Sequence, residues 1–246
     1  MVHRTRKRLT KTELKRDPVA ENLQKAWDFG REHLKGLIVT CLIVAAGIAA
    51  TQAAVRTSRR QNEDAMARYL FADILYEQAE QAALAGQAQQ ASGLLNQAYS
   101  LSGATYEQNQ NRIWGRRAAI LSAKAGILLG RYDDVISSMQ QLIGSRPQQE
   151  ILVAARLHLA VATENRGGPE DLAAARETYT ELLPDSTDYP MVTAEALGGL
   201  ARLSLADRDS TAAREWLGRA LALKADTTDY DRYLLAALDH TFDQPR

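Results

Sequence analysis

The side chains best suited to acid–base, nucleophilic or metal chemistry in this 246-residue chain are four histidines, one cysteine and a few acid pairs. The histidines, His3, His33, His158 and His240, are far apart, and no His-Glu-x-x-His spacing occurs that would set two imidazoles on one helical face around zinc. Cys41 lies in an apolar run where its thiolate is disfavoured, so it is no nucleophile. A single cysteine makes neither an internal disulfide nor a multi-thiolate site. The pairs Asp133/Asp134 and Glu170/Asp171 stand at turns and helix starts, where the positive end of a helix favours acids. No glycine-rich loop ends in Gly-Lys-Ser/Thr. No catalytic residue, cofactor or metal ligand is assigned, and the chain is expected not to be an enzyme.

The chemistry that remains is recognition. Arg112, Arg116, Arg117 and Lys124 form a basic cluster, and a guanidinium binds a carboxylate through paired N–H donors. Arg117 and Lys124 are candidate receivers of an acidic segment or a C-terminal carboxylate. The simpler alternative is a solvated face that balances Glu107.

The elements around that cluster sort into three regions. Residues 1–35 carry ten Lys/Arg against five acids; the whole chain has 30 of each, so residues 56–246 carry the opposite surplus. A zero net charge argues against wholesale nucleic-acid binding. Between Lys35 and Arg56 lie 20 residues without a charge, GLIVTCLIVAAGIAATQAAV, and at about 1.5 Å per residue they match the roughly 30 Å hydrocarbon core of a bilayer. Eight of them are Leu, Ile or Val, while Gly36, Gly47, Thr51 and Gln52 temper the run. A buried core helix would show a polar stripe. A cleaved signal peptide finds small residues at Gly47-Ile48-Ala49 and Thr51-Gln52-Ala53, but its basic region would be 35 residues long. A permanent span, residues 36–55, is the reading carried forward.

Ten bases precede the span and four (Arg56, Arg59, Arg60, Arg68) follow within twenty residues, which puts the N-terminus in the cytoplasm and the C-terminal domain outside, in a bacterium the periplasm. In the arm, Asp17 caps Pro18, and Val19, Leu23, Ala26/Trp27, Gly30 and Leu34 recur at three- and four-residue steps. This predicts an amphipathic helix with Trp27 and Phe29 near headgroup level beside Lys25, Arg31 and Lys35. It is either an interfacial or docking helix, or a solvated stalk.

From Asn62 to His240 the pattern is helical, punctuated by Gly86, Gly103, Gly130, Pro147, Gly167-Gly168-Pro169, Pro184 and Pro190. The stretch AAILSAKAGILLGRYDDVISSMQQLIGSRP resembles a tetratricopeptide repeat, with Gly130-Arg131-Tyr132-Asp133-Asp134 as the turn, Ala123 at the crossing and Pro147 as terminator. ALAGQAQQASGLLNQAYS fits the same register through Gly86, Ala91, Leu95 and Ala98, with Leu75 and Ala79 on its first helix. LGGLARLSLADRDSTAAREWLGRALAL fits through Leu200, Ala201, Ala213, Leu217, Ala220 and Leu221. A looser unit has Ala175, Tyr179 and Leu182 on its second helix and an enlarged turn at Asn165 to Glu170. The expected fold is all-α: one N-terminal transmembrane helix, then an α-solenoid of degenerate repeats over 56–246. Its units lie near 72–105, 116–149, 150–189 and 194–227, with a capping helix at 229–240 that presents Tyr230, Tyr233, Leu234 and Leu238. Extra residues are expected at Gly103 to Arg112 and Asp185 to Thr193.

In architecture the chain resembles bitopic bacterial inner-membrane tetratricopeptide-repeat proteins, among them the ancillary subunit family of the Sec translocon. The stretch Arg8 to Pro18 is similar to the arms of uncharacterised members. The resemblance implies a scaffold whose partners are a membrane complex, exported proteins or folding factors, besides the lipid bilayer. The alternative is a structural coordinator of cell-wall, division or secretion machinery. The carboxylate clamp of chaperone-binding repeats does not carry over cleanly, because its Lys and Asn positions read as Ile120 and Lys124 in one unit and Tyr76 and Glu80 in another. The candidate partner-binding residues are therefore Arg117, Lys124, Ile120 and Tyr76 on the repeats and Trp27 on the arm.

Overall fold

A computed structural model describes residues 18–186 and 188–223. Among them every regular element is helical. The chain divides into two compact units, the first ending at Arg60 and the second beginning at Gln61. The expected Asp17 cap, the basic stretch from Arg8, His3, His240 and the expected capping helix at 229–240 lie outside the described residues.

The first unit holds α1 (Pro18–Glu32) and the start of α2 (Leu34–Leu84). Helix α2 contains the uncharged run and is the one helix among the described residues long and apolar enough to cross a membrane. It has no break at the end of that run. Arg56, Arg59 and Arg60 are good helix formers, and nothing in 56–66 resembles a stop signal.

In the second unit, the end of α2 is followed by α3 (Ala88–Gln108), α4 (Ile113–Leu128), α5 (Tyr132–Gly144), α6 (Gln149–Arg166), α7 (Pro169–Glu181), a 3₁₀ turn at Leu183–Ser186, α8 (Pro190–Ala206) and α9 (Ser210–Ala222). From α3 onward each helix packs on its successor, and α4, α6 and α8 also touch in series. The apolar core passes along this row. Tyr106, Ala119, Ala123, Met139, Leu142 and Ile151 join α3 through α6. Val153, Leu157, Tyr179, Leu182 and Leu200 join α6 through α8, and Leu197, Leu217 and Ala220 join α8 to α9. Helix α6 contributes to two of these clusters, Ile151 and Ala155 to one and Val153 and Leu157 to the next, so it is apolar on two sides.

The turns repeat one device. Gly86, Gly130 and Gly167 take φ of 75°, 72° and 83°, in the left-handed region that suits a residue without Cβ. Beyond Gly86 and Gly130, Gln87 N–H donates to the Ala82 carbonyl and Arg131 N–H to the Gly126 carbonyl, both at 2.8 Å. Between α8 and α9 the same bond runs from Asp209 N–H to the Ser204 carbonyl at 2.9 Å, but the residue at positive φ is Arg208, at 62°. Pro169 and Pro190 each stand in the first turn of a helix, where their missing N–H leaves no intrahelical bond unmade.

Four expectations need correction. The turn at Asn165 to Glu170 is not enlarged: α6 runs to Arg166 and α7 starts at Pro169. Gly103 is no breaker, because α3 continues to Gln108 and buries Ser102, Thr105 and Tyr106 around it, which leaves four connecting residues before α4. The extra residues before α8 end at Tyr189, since Pro190 opens the helix. Leu221 is 54% exposed, whereas Leu217 and Ala220 are buried, because the inward stripe of α9 is a narrow one.

Candidate interaction surfaces

Two features organise a partly exposed face of the second unit. The first is a row of unlike side chains across three helices. Tyr69 of α2 lies against Trp114 of α4, ring centroids 5.5 Å apart and tilted by 39°. The Arg117 guanidinium sits over the Trp114 ring at 5.2 Å, and its Nη2 reaches Glu150 Oε1 of α6 at 3.3 Å. Trp114 and Arg117 are three apart on one helix, so their side chains meet as i,i+3 neighbours. Burial, with help from the Asp73 charge, pushes the Tyr69 hydroxyl above its ordinary pKa. Arg117 and Glu150 are both substantially exposed, so their ion pair contributes little stability and holds the guanidinium in place at small cost.

The second feature is a partly buried trio of hydrogen-bonded groups on α6, α7 and α8. Arg202 donates through Nε to Glu164 Oε1 at 2.8 Å and through Nη2 to Oε2 at 2.7 Å. The Tyr179 hydroxyl donates to the same Oε2 at 2.6 Å. This satisfies a carboxylate that is mostly shielded from water and fixes the relative register of three helices. Burial and the Glu164 charge raise the Tyr179 hydroxyl far above its ordinary pKa, so it remains a donor. On the opposite flank Arg166 links Asp171 at 2.6 Å and Asp133 at 2.9 Å, and Asp171 Oδ2 accepts the Gly168 N–H at 3.2 Å to cap α7. The bond from Arg166 holds the Asp171 carboxyl below the usual carboxylate range.

The candidate residues fall as follows. Arg117, Ile120 and Lys124 share one face of α4 at three- and four-residue steps. Ile120 is half-buried against the first core cluster, while Lys124 is exposed. Tyr76 is half-buried on α2, seven residues after Tyr69 and on the same side. Trp27 belongs to the other unit and is 73% exposed on α1. Of the basic cluster whose simpler reading is a solvated face balancing Glu107, Arg117 pairs with Glu150, brought in by the packing of α4 on α6. His158 is buried on α6, where burial and then the Lys124 charge lower its pKa to about 3 and keep it neutral. Tyr69, Trp114 and Glu150 were not foreseen. The i,i+3 spacing of Trp114 and Arg117 was a usable signal, but nothing local points from Arg117 to a residue 33 positions away.

Among the described residues, no three His, Cys, Asp or Glu side chains gather as metal ligands. No protein-family model and no curated protein matches the chain. The functional reading therefore rests on this geometry and on the sequence pattern.

Proposed function

We propose that the chain is a membrane-anchored protein–protein interaction scaffold of the tetratricopeptide-repeat kind. Its arm faces the cytoplasm and its helical unit the periplasm of a bacterial inner membrane, where it assists translocon-associated or chaperone-linked handling of exported proteins. The observation that carries the interaction reading is the Tyr69, Trp114, Arg117, Glu150 row. Trp, Tyr and Arg are the residues that dominate protein interfaces, and here they are pre-ordered yet only half-buried, on helices whose own cores are filled by other side chains. The solenoid reading is supported by the left-handed turns, by small residues at the crossings, such as Ala91, Ala123 and Ala213, and by the serial packing of α4, α6 and α8. The anchor reading is supported by the apolar run of α2, and the orientation by the surplus of bases before it.

The test is photo-crosslinking in cells from unnatural residues at Arg117, Lys124 and Trp27, with adducts identified by mass spectrometry. Adducts from Arg117 and Lys124 to translocon subunits, exported proteins or folding factors are expected. Adducts to a division or cell-wall component instead would turn the reading to a structural coordinator. Adducts from Trp27 alone would make the helical unit a spacer. A C-terminal alkaline phosphatase fusion should be active, and an inactive one reverses the topology.

A further inference from the structure

We infer that α1 is an interfacial helix that lies in the headgroup plane of an anionic leaflet at the mouth of the span. The inference rests on the membrane-anchor reading of α2. At about 100° per residue, Val19, Leu23, Trp27 and Gly30 fall within an arc of roughly 80°, with Ala26 beside it. Val19, Leu23 and Trp27 are 63%, 65% and 73% exposed, so this arc is open to an apolar medium. Arg31 falls just beyond Trp27 on one edge of the arc. Lys25 falls beyond Phe29 on the other, and the Phe29 ring meets His33 edge-on at 4.5 Å. Glu21, Asp28 and Glu32 gather on the far side.

Bases at the two borders and acids opposite are what an anionic surface selects: Lys and Arg stems reach along the apolar edge to lipid phosphates while carboxylates stay in water. A partner protein's groove would make no such demand on both borders at once. Position adds to composition. One residue, His33, separates the end of α1 from the start of the helix that carries the span, so α1 is delivered to the bilayer surface. Residues 1–17 add seven Lys/Arg against two acids on the same side, and Lys35 one more.

The experiment uses the full chain reconstituted into vesicles of phosphatidylcholine alone or mixed with phosphatidylglycerol, with bromine on the acyl chains near the headgroups. Trp27 is read as the fluorescence component lost in Trp27→Phe, which leaves Trp114 and Trp216 in place. Blue-shifted emission and quenching by bromine are expected in the anionic vesicles, weakened in phosphatidylcholine and at about 1 M salt, where the Debye length is about 3 Å. Lys25→Gln and Arg31→Gln should each lower the ratio of lipid-bound to free α1 about fivefold, equivalent to about 1 kcal/mol per base. Leu23→Ser should abolish the blue shift. A chain that resists alkaline extraction while Trp27 stays unquenched in both lipids overturns the assignment of α1 alone, as does crosslinking of Trp27 chiefly to a protein. Release of the chain by the alkaline wash overturns the anchor, and the inference with it.

Discussion

Replacing Gly199 by alanine should destabilise the helical unit, although alanine is the better helix former by about 1 kcal/mol. A Cβ built on Gly199 meets the Tyr179 ring at 2.4, 2.5 and 2.9 Å, far inside the roughly 3.5–4.0 Å at which carbon atoms rest against each other. The ring would have to retreat by about 1 Å. It is fully buried, and its hydroxyl is tied to Glu164 Oε2 at 2.6 Å, which Arg202 in turn holds by two bonds. Overpacking of this kind costs about 1–3 kcal/mol, and loss of a hydrogen bond to a charged acceptor adds about 1.5–3. Set against the propensity gain, the net is a loss of about 2 kcal/mol or more, a fall in Tm of roughly 4–8 °C for a unit of this size.

The control lies in the next helix. Nothing stands within 4 Å of a Cβ on Gly218 of α9, so Gly218→Ala should gain about 0.5–1 kcal/mol. Urea unfolding of the detergent-solubilised full chain, followed by circular dichroism, measures both. Adding Tyr179→Leu supplies the cycle: the cost of Gly199→Ala should shrink once the ring is gone, with a coupling of at least about 1 kcal/mol. If Gly199→Ala stabilises as Gly218→Ala does, or if the two substitutions at the α7–α8 contact simply add, the close approach of these helices is not as described.

Arg208→Gly should stabilise by about 1 kcal/mol, because Arg208 holds φ of 62° at a turn where the corresponding residues are glycines; an unchanged urea midpoint would contradict this. His158 is neutral when folded, with its pKa lowered to about 3 from 6.5, so the unfolded chain binds the extra proton between those values and stability falls as pH drops below about 6.5. Near pH 4.5 the loss is about 2–3 kcal/mol, and His158→Gln should flatten this part of the pH profile. Arg202→Met leaves the Glu164 carboxylate, 13% exposed, without its cation, and should cost about 3–5 kcal/mol in the same assay, far more than Arg117→Met, whose partner Glu150 is 63% exposed.

What was legible in the sequence was what is decided locally. Gly86, Gly130 and Pro169 mark real helix ends because a positive φ or a missing N–H acts at one residue, whatever packs around it. The long uncharged run was legible because no charge interrupts it over a bilayer's thickness. Gly103 misled because a single glycine is tolerated inside a helix at a cost of about 1 kcal/mol: Ser122 Oγ of α4 lies 3.5 Å from where its Cβ would be, an ordinary contact, so neither a turn nor a close approach calls for glycine there. The turn inside the 194–227 unit was legible from its repeat register and not from a glycine, because Arg208 holds the left-handed conformation there. The proposed interaction face was half legible. Arg117 stood out by charge, but its setting is supplied by Tyr69 and Glu150, which share no sequence neighbourhood with it and meet it only through the packing of α2, α4 and α6.

The cores that join successive helices are built from Ala, Leu, Val and a few aromatics whose exposure is close to zero, and each core needs only its neighbours. Trp114 is not among those residues, and its ring is half-buried. Its neighbours are a tyrosine whose hydroxyl burial disfavours ionising, and an arginine held by an exposed glutamate. Exposed ion pairs contribute almost nothing to stability, so the arginine and glutamate of this set are better tested as binding groups than as braces. With the crosslinker at Lys124, Trp114→Ala and Arg117→Ala should accordingly lower capture of partners much more than they lower the urea midpoint. Equal losses in both would mean that the row braces α2 against α4 and has no partner.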